Sequence, residues 1–291
     1  MSVTDQKIGE KIKELRLKKR MTQKDLSGDQ ITRNMLSLIE NGTATPSVAT
    51  LVHIASRLEV PVGFFFSASE EEETKYLKMS VAGKAKSLYA EKNYSACVDI
   101  SSSLPAGVCD DEISMIAGIS YLKLSEKYAK ASDMKKAHEA LKKAEEYSAL
   151  SIYLGSDFAS AVTYFNTLFD ALCSDAIPDA LLDISVSGEL VPREIPEFFI
   201  GCSFAEQGKK SDLNFLTVSA KRFIDALLLI FENKLSESFL LLKEILNAPL
   251  PYYMQYRVIS ALEKTANSLS DFKSAYTFAR KKLDLIDILK K

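Results

Sequence analysis

TQKDLSGDQITRNMLSLIENG, residues 22–42, decides the fold of the first 67 residues of the chain. Thr22 is a good N-cap, because a threonine hydroxyl can take an otherwise orphaned backbone N–H, and it predicts a short helix from Gln23 to Ser27. Gly28 and Asp29 break the pattern. Thr32 then caps a second helix, whose end is set at Asn41-Gly42 by the glycine after the last periodic residue. On that second helix Leu36 and Ile39 face inward, while Asn34, Ser37, Leu38 and Asn41 recur at i, i+3, i+4 and i+7 on the other side.

Working outward, Ile8, Ile12 and Leu15 give a helix over Asp5–Lys19 one apolar face. Downstream, Thr45-Pro46 is expected to open a fourth helix with proline in its first position. Val48, Leu51, Ala55 and Leu58 form its buried stripe, Val60-Pro61 stops it, and Val62–Phe66 supplies a closing apolar turn. Five short helices in this order predict a compact all-α domain over residues 1–67.

This stretch resembles the Cro/phage-repressor-like helix-turn-helix family, often called XRE. The match is carried by IGEKI at 8–12, TQKDLS at 22–27, IENG at 39–42, PS at 46–47 and EVPV at 59–62. Two departures stand out: the turn GDQI at 28–31 is one residue shorter than usual, and Ser27 replaces the usual alanine. The resemblance implies a five-helix, lambda-repressor-like domain bound to a double-stranded DNA operator, with the helix capped by Thr32 entering the major groove. Arg33 and Asn34 lie at the start of that helix. Arginine pairs with guanine and asparagine with adenine, each worth about 1–3 kcal/mol of discrimination. Leu38 is placed to meet a thymine methyl, with Ser37 beside it. By family position, Gln23 contacts phosphate and braces the reading helix, and Asn41 contacts phosphate. The family's matching arginine and glutamate imply a structural ion pair between Arg16 and Glu40.

Charge agrees in sign. Residues 1–67 hold 10 Lys and Arg against 7 Asp and Glu, while the remainder holds 27 against 32. A mildly basic head on an acidic body suits a DNA-reading module attached to a domain with another partner.

Ser69 and Glu70–Glu73 make a charged joint, and residues 68–75 are expected to be a hinge, with the glutamates starting a solvated helix. Residues 76–291 then read as a helical-repeat domain. Helices are expected at 74–91, 93–103, 111–130, 132–149, 152–174, 176–187, 193–209, 211–233, 235–247, 250–269 and 271–290. NYSA at 93–96, DMKKA at 133–137, KLSES at 234–238 and DFKSA at 271–275 share a beginning, and recur at spacings of 40 and 37 residues. That approaches the period of tetratricopeptide helix pairs, so a right-handed α-solenoid with a concave binding face is expected.

The layout resembles the peptide-pheromone-responsive Rgg/PlcR-like regulators of Gram-positive bacteria, and implies a homodimer that binds a short signalling peptide and alters transcription. Two stripes are candidates for the peptide groove. On one helix Phe158, Val162, Phe165, Phe169 and Leu172 pack while Ala159, Thr163, Asn166 and Asp170 run alongside. On another Leu213, Leu216, Ala220, Phe223 and Leu227 pack while Asn214, Thr217, Lys221 and Asp225 form the strip. A side-chain amide both donates and accepts, so Asn166 and Asn214 suit a peptide backbone; Thr163, on the stripe of Asn166, is a further candidate, and Lys221 suits a carboxylate. Equally, both stripes read as solvated outer faces, with Asn214 helping to cap its helix. The last helix offers Ala275, Phe278, Ala279, Leu283, Ile286 and Leu289, either as a dimer seam or as the closing core.

Other classes find little footing. There is no GxGxxG, GxxxxGK[ST], GxSxG or HExxH, and the only histidines are His53 and His138, in different domains. No cofactor or metal is expected, and no enzymatic activity. Cys97, Cys109, Cys173 and Cys202 lack CxxC spacing and read as reduced packing thiols. No apolar run approaches membrane-spanning length and the opening MSVTDQKIGEK carries no apolar leader, so a cytoplasmic location is expected. Two rival readings remain: a DNA-tethered scaffold that docks a protein on its body, and a ligand-independent repressor that uses the body only to dimerise.

Overall fold

A computed structural model describes residues 3–102, 104 and 109–289. Among them every regular element is helical. The chain divides into two compact units, Met1–Lys92 with Asp99–Ile113, and Asn93–Val98 with Ser114–Lys291.

The first unit begins with α1 (Val3–Lys18), α2 (Gln23–Ser27), α3 (Arg33–Glu40) and α4 (Val48–Leu58), followed by a 3-10 turn at Val62–Phe66. Ile8, Ile12, Leu26, Leu36, Ile39, Leu51, Ile54, Leu58 and Phe65 form its core. Gly9 permits the tightest crossing. A Cβ there would lie 2.1 Å from the Ile39 carbonyl oxygen, so α1 packs directly on the backbone of α3.

Two details of α4 differ from expectation. Ser47, not a residue before Pro46, is the cap, its hydroxyl accepting from the Thr50 N–H; the proline therefore lies outside the helix. Val48, the first residue of α4, is 77% exposed, while Leu51, Ala55 and Leu58 are buried as expected and Ile54 joins them in the core.

α5 (Glu70–Ala90) starts directly after the Ser69 cap and runs through the segment expected to be a hinge. Its onset is tied down. Lys11 Nζ lies 2.7 Å from Glu73 Oε1 and 2.8 Å from the Ser67 carbonyl oxygen. Tyr76 and Leu77 pack against the core of the first unit. Residues 70–75 are thus helical, with Glu73 tied to Lys11 of α1.

Beyond it come α6 (Tyr94–Ser102), α7 (Asp111–Lys130), α8 (Met134–Ser148), α9 (Ser156–Ala171), α10 (Glu194–Glu206), α11 (Val218–Phe231), α12 (Leu235–Leu246), α13 (Tyr252–Ser268) and α14 (Phe272–Leu289). The expected ends of two helices, at Ser103 and Lys290, lie outside the described residues. Within the second unit, neighbours in sequence are neighbours in space: α8 packs on α9, and α10 through α14 pack each on the next.

The shared sequence beginnings have a common geometry. Lys92, Ser132, Asn233 and Ser270 precede them, and all four take the left-handed backbone conformation, with φ of 58, 61, 60 and 60°. The next residue then caps in three cases: Asn93, Asp133 and Asp271 accept the N–H groups of Ala96, Lys136 and Ser274. Lys234 has no side-chain cap. Four helix-to-helix joints are therefore built alike.

Two expected helices are corrected. Residues 176–187 form only 3-10 turns, Asp179–Leu182 and Ile184–Val186. Asp183 between them is extended, and its carboxylate accepts from both the Ser185 N–H and hydroxyl, a local bond that competes with a helix. The helix expected from 211 starts only at Val218. The Phe215 N–H donates to the buried carboxylate of Glu197 at 2.9 Å, and Thr217 caps by accepting from the Ala220 N–H.

Candidate nucleic-acid interface

The site is built from the turn between α2 and α3 outward. Thr22 and Asp25 exchange bonds at the start of α2: the Asp25 N–H donates to Thr22 Oγ1, and the Thr22 N–H to Asp25 Oδ2. The Thr22 hydroxyl, also donating to Asp25 Oδ2, and the Thr22 N–H hold the Asp25 carboxyl below its ordinary range. At the other end Gly28 takes φ +55°, which a side chain would strain, and donates its N–H to the Lys24 carbonyl. Two residues of α4 fix this end from the side. Arg57 donates from Nε and Nη2 to the Asp25 carbonyl oxygen, at 2.9 and 2.6 Å, and His53 Nε2 lies 2.9 Å from the Ser27 carbonyl oxygen. Ser27 is buried, its hydroxyl donating to the Lys24 carbonyl.

α3 is capped by Thr32, whose hydroxyl accepts the Met35 N–H at 3.1 Å. Leu36 and Ile39 are fully buried, and hold the helix by its inner face. Arg33, Asn34, Met35 and Leu38 are exposed on its outer side, Ser37 is half-buried, and Asn41 is exposed at the C-terminal end. Among the described residues neither Arg33 nor Asn34 has a side-chain partner within the protein. Met35 and Leu38, 46% and 48% exposed, are large apolar groups left in water beside them. Met35 was not singled out in the sequence, where a single methionine at this spacing reads as core.

Beneath the helix sits a buried charge network. Arg16 Nε and Nη2 donate to Glu40 Oε1 and Oε2 at 2.6 and 2.9 Å, a bidentate pair between α1 and α3. Arg16 Nη1 also donates to the Met21 carbonyl at 3.0 Å. Gln23 Nε2 donates to Glu40 Oε2 at 2.9 Å, so the first residue of α2 is bonded to the last of α3. The Glu40 bond raises the Arg16 pKa, and burial opposes it. Pairs of this kind are interdependent, since either charge alone would be stranded in a dry interior.

Arg57 and His53 belong to the same support and could not be found from the sequence. Both act on backbone carbonyls in α2, 32 and 26 residues away, and no spacing rule marks such partners.

In the second unit the candidate groove residues are dispersed over different local settings. Thr163 is exposed on α9, with its hydroxyl donated to the Ala159 carbonyl of its own helix. Asn166 is half-buried on the same helix. Lys221 is exposed on α11, one turn from its start. Asn214 is exposed but precedes α11, so the helical strip of Asn214, Thr217, Lys221 and Asp225 does not exist as such; Thr217 is that helix's cap.

His138 Nδ1 lies 2.8 Å from the Met134 carbonyl of its own helix, with its ring edge on Phe169. Among the described residues no disulfide joins the cysteines, and burial pushes the Cys202 thiol far up. Among the described residues no three His, Cys, Asp or Glu side chains are grouped to hold a metal, and no helix is long and apolar enough to cross a membrane.

Comparison with known proteins agrees with the head. Residues 12–65 match the helix-turn-helix family. The N-terminal domain is a helix-turn-helix DNA-binding domain of the XRE kind. No curated protein matches the chain. Among solved structures, Bacillus thuringiensis PlcR in complex with the peptide PapR7 and DNA is 17% identical, with 97% of this chain and 96% of that one covered. The TM-score is 0.22.

Proposed function

We propose that the protein is a sequence-specific transcriptional regulator, in which α3 reads an operator half-site and the helical body pairs two copies and answers to a short peptide. One observation carries the DNA reading. The outer face of α3 presents unpaired Arg33 and Asn34 and exposed Leu38, while its inner face is locked by Leu36, Ile39 and the Arg16–Glu40–Gln23 network. A rigid helix with free hydrogen-bonding groups at its N-terminal end is what major-groove readout requires.

The contacts divide by role. Arg33 and Asn34 read base edges, and Leu38 meets a thymine methyl. Asn41 and Thr32, at the two ends of α3, face the phosphate backbone, and Ser37 follows the helix into the groove. Gln23 spends its amide nitrogen on Glu40 and keeps its oxygen; it acts chiefly by holding α2 against α3. On the body, Thr163 and Asn166 of α9 and Lys221 of α11 remain the candidate peptide contacts, Asn214 being an accessory before the helix.

Selection of bound fragments from random DNA, followed by gel-shift titration, tests the reading. Arg33→Ala should cost about 1–3 kcal/mol on the selected site and relax specificity at one base pair. Gln23→Ala should weaken all sequences evenly. Unchanged affinity and specificity in Arg33→Ala would remove that residue from the readout.

A further inference from the structure

Arg257, on α13, is 7% exposed, yet among the described residues no carboxylate is paired with it. A guanidinium carries five N–H donors and a permanent charge. Here Nη1 and Nη2 donate to the carbonyl oxygens of Asp175 and Ala176, at 3.2 and 3.0 Å, and the group lies 5.2 Å from the centre of the Phe199 ring. Carbonyls and an aromatic face satisfy donors but do not neutralise a charge. Arginine is seldom buried to this degree unless an anion accompanies it.

The carboxylate of Asp175, whose carbonyl Arg257 holds, is already committed. Asp175 accepts from the Ser260 hydroxyl at 2.7 Å and pairs with Lys264 at 2.9 Å. Burial would raise its pKa, but these bonds hold the carboxyl below its ordinary range, so it stays ionised as the partner of Lys264. Glu206, at the mouth, is exposed to solvent.

Beside Arg257 an open cavity of about 190 Å³ lies between α11 and α13. Phe223, Leu227, Ile230, Leu235 and Ala261 give it an apolar lining, and Arg257, Lys264, Asp175, Glu206, Thr265 and Ser268 its polar groups. The space suits one compact apolar group with a small head, since ~150 Å³ already accommodates benzene. Apolar walls around a few convergent polar groups are the usual make-up of a small-molecule pocket.

We propose that this cavity binds a carboxylate carried on a short apolar body, with Arg257 as its anchor. The apolar part fills the space against Leu227 and Ile230, and the head group supplies the missing negative charge. A free peptide C-terminus ending in an apolar residue offers this chemistry, and so does a medium-chain fatty acid. The site is defined by the buried cation and does not depend on peptide control of DNA binding.

Ligand-observed NMR and titration calorimetry on the full chain test it with N-acetyl-leucine, N-acetyl-leucinamide and octanoate. At least one of the two acids should bind, with N-acetyl-leucine preferred over its neutral amide by tenfold or more if the source is a peptide terminus, and octanoate preferred if it is a fatty acid. Arg257→Met, where it keeps a cooperative melt, should abolish the preference for acid. Leu227→Trp, which fills the cavity from its wall, should abolish acid binding and covers the case in which Arg257→Met does not fold. Failure of both acids to bind at millimolar concentration, or undiminished acid binding in Leu227→Trp, would overturn the proposal. Failure of peptide control would look different: operator affinity unmoved by any peptide, with acid binding intact.

Discussion

Glu40→Ala is the sharpest perturbation of the reading head, because it strands a charge that the fold has dried. Arg16 is 7% and Glu40 4% exposed, and the pair is bidentate. Removing one partner of a buried pair costs about 3–5 kcal/mol, most of it the penalty of the guanidinium left behind. Loss of the Gln23 bond to the same carboxylate adds about 1 kcal/mol. Arg16 keeps its bond to the Met21 carbonyl, which recovers part of this, so the expected net loss is about 3–4 kcal/mol. The assay is native-state hydrogen exchange on the full chain, read at amides of α1 and α3, which isolates the first unit from the second. Arg16→Met with Glu40→Leu should lose far less than the single variant, because two apolar groups leave nothing unpaired. The double-mutant comparison also separates the coupling from the packing lost. A loss below about 1 kcal/mol in Glu40→Ala, or a double variant as unstable as the single, would refute the argument.

Three further outcomes follow from the structure. Gly9→Ala should destabilise the first unit by about 1–3 kcal/mol and weaken operator binding, since the new methyl would push α1 off the Ile39 carbonyl and tilt α3; a thermal melt and a gel shift read both. Ser47→Ala removes the hydroxyl that accepts the Thr50 N–H and should cost about 1 kcal/mol, read by hydrogen exchange in α4, with base specificity unchanged. Sedimentation equilibrium should show a homodimer at micromolar concentration; Phe272, Tyr276 and Leu283, 71, 70 and 61% exposed on α14, make Tyr276→Glu the variant expected to weaken it, and a wild-type monomer with or without operator would end the idea.

The head was legible because its signals are local. Thr22 and Thr32 lie three residues from the N–H groups they cap, and the inward pair Leu36 and Ile39 is set by helical period alone. On α4 the predicted stripe holds at Leu51, Ala55 and Leu58, while Val48, the first helical residue after the Ser47 cap, is exposed. On α14, Ala275, Phe278 and Leu289 close the core as one reading of the stripe had it, but Leu283 faces out. The body was legible where helices meet at short joints and misread where a distant group decides. Residues 211–217 carry a helical pattern, yet Glu197 claims the Phe215 N–H from 18 positions away. Residues 176–187 have apolar residues at helical spacing, but Leu181 is buried in a 3-10 turn. Arg257 is a charge in an otherwise ordinary amphipathic pattern, and only its burial gives it meaning.

The four left-handed joints have a consequence for how this chain tolerates rearrangement. Lys92, Ser132, Asn233 and Ser270 hold φ near 60° without glycine at any of them. A side chain in that conformation stores on the order of 1–2 kcal/mol, a cost that asparagine bears more easily. Chains with glycine there would avoid the cost and turn through a wider range of angles. The shared φ gives each of these joints the same local bend at one residue. A helix pair removed, duplicated or exchanged at such a joint would leave its neighbour with the same direction of departure. Length in this part of the molecule can therefore change by whole hairpins, whereas a single inserted residue at a joint would redirect everything after it.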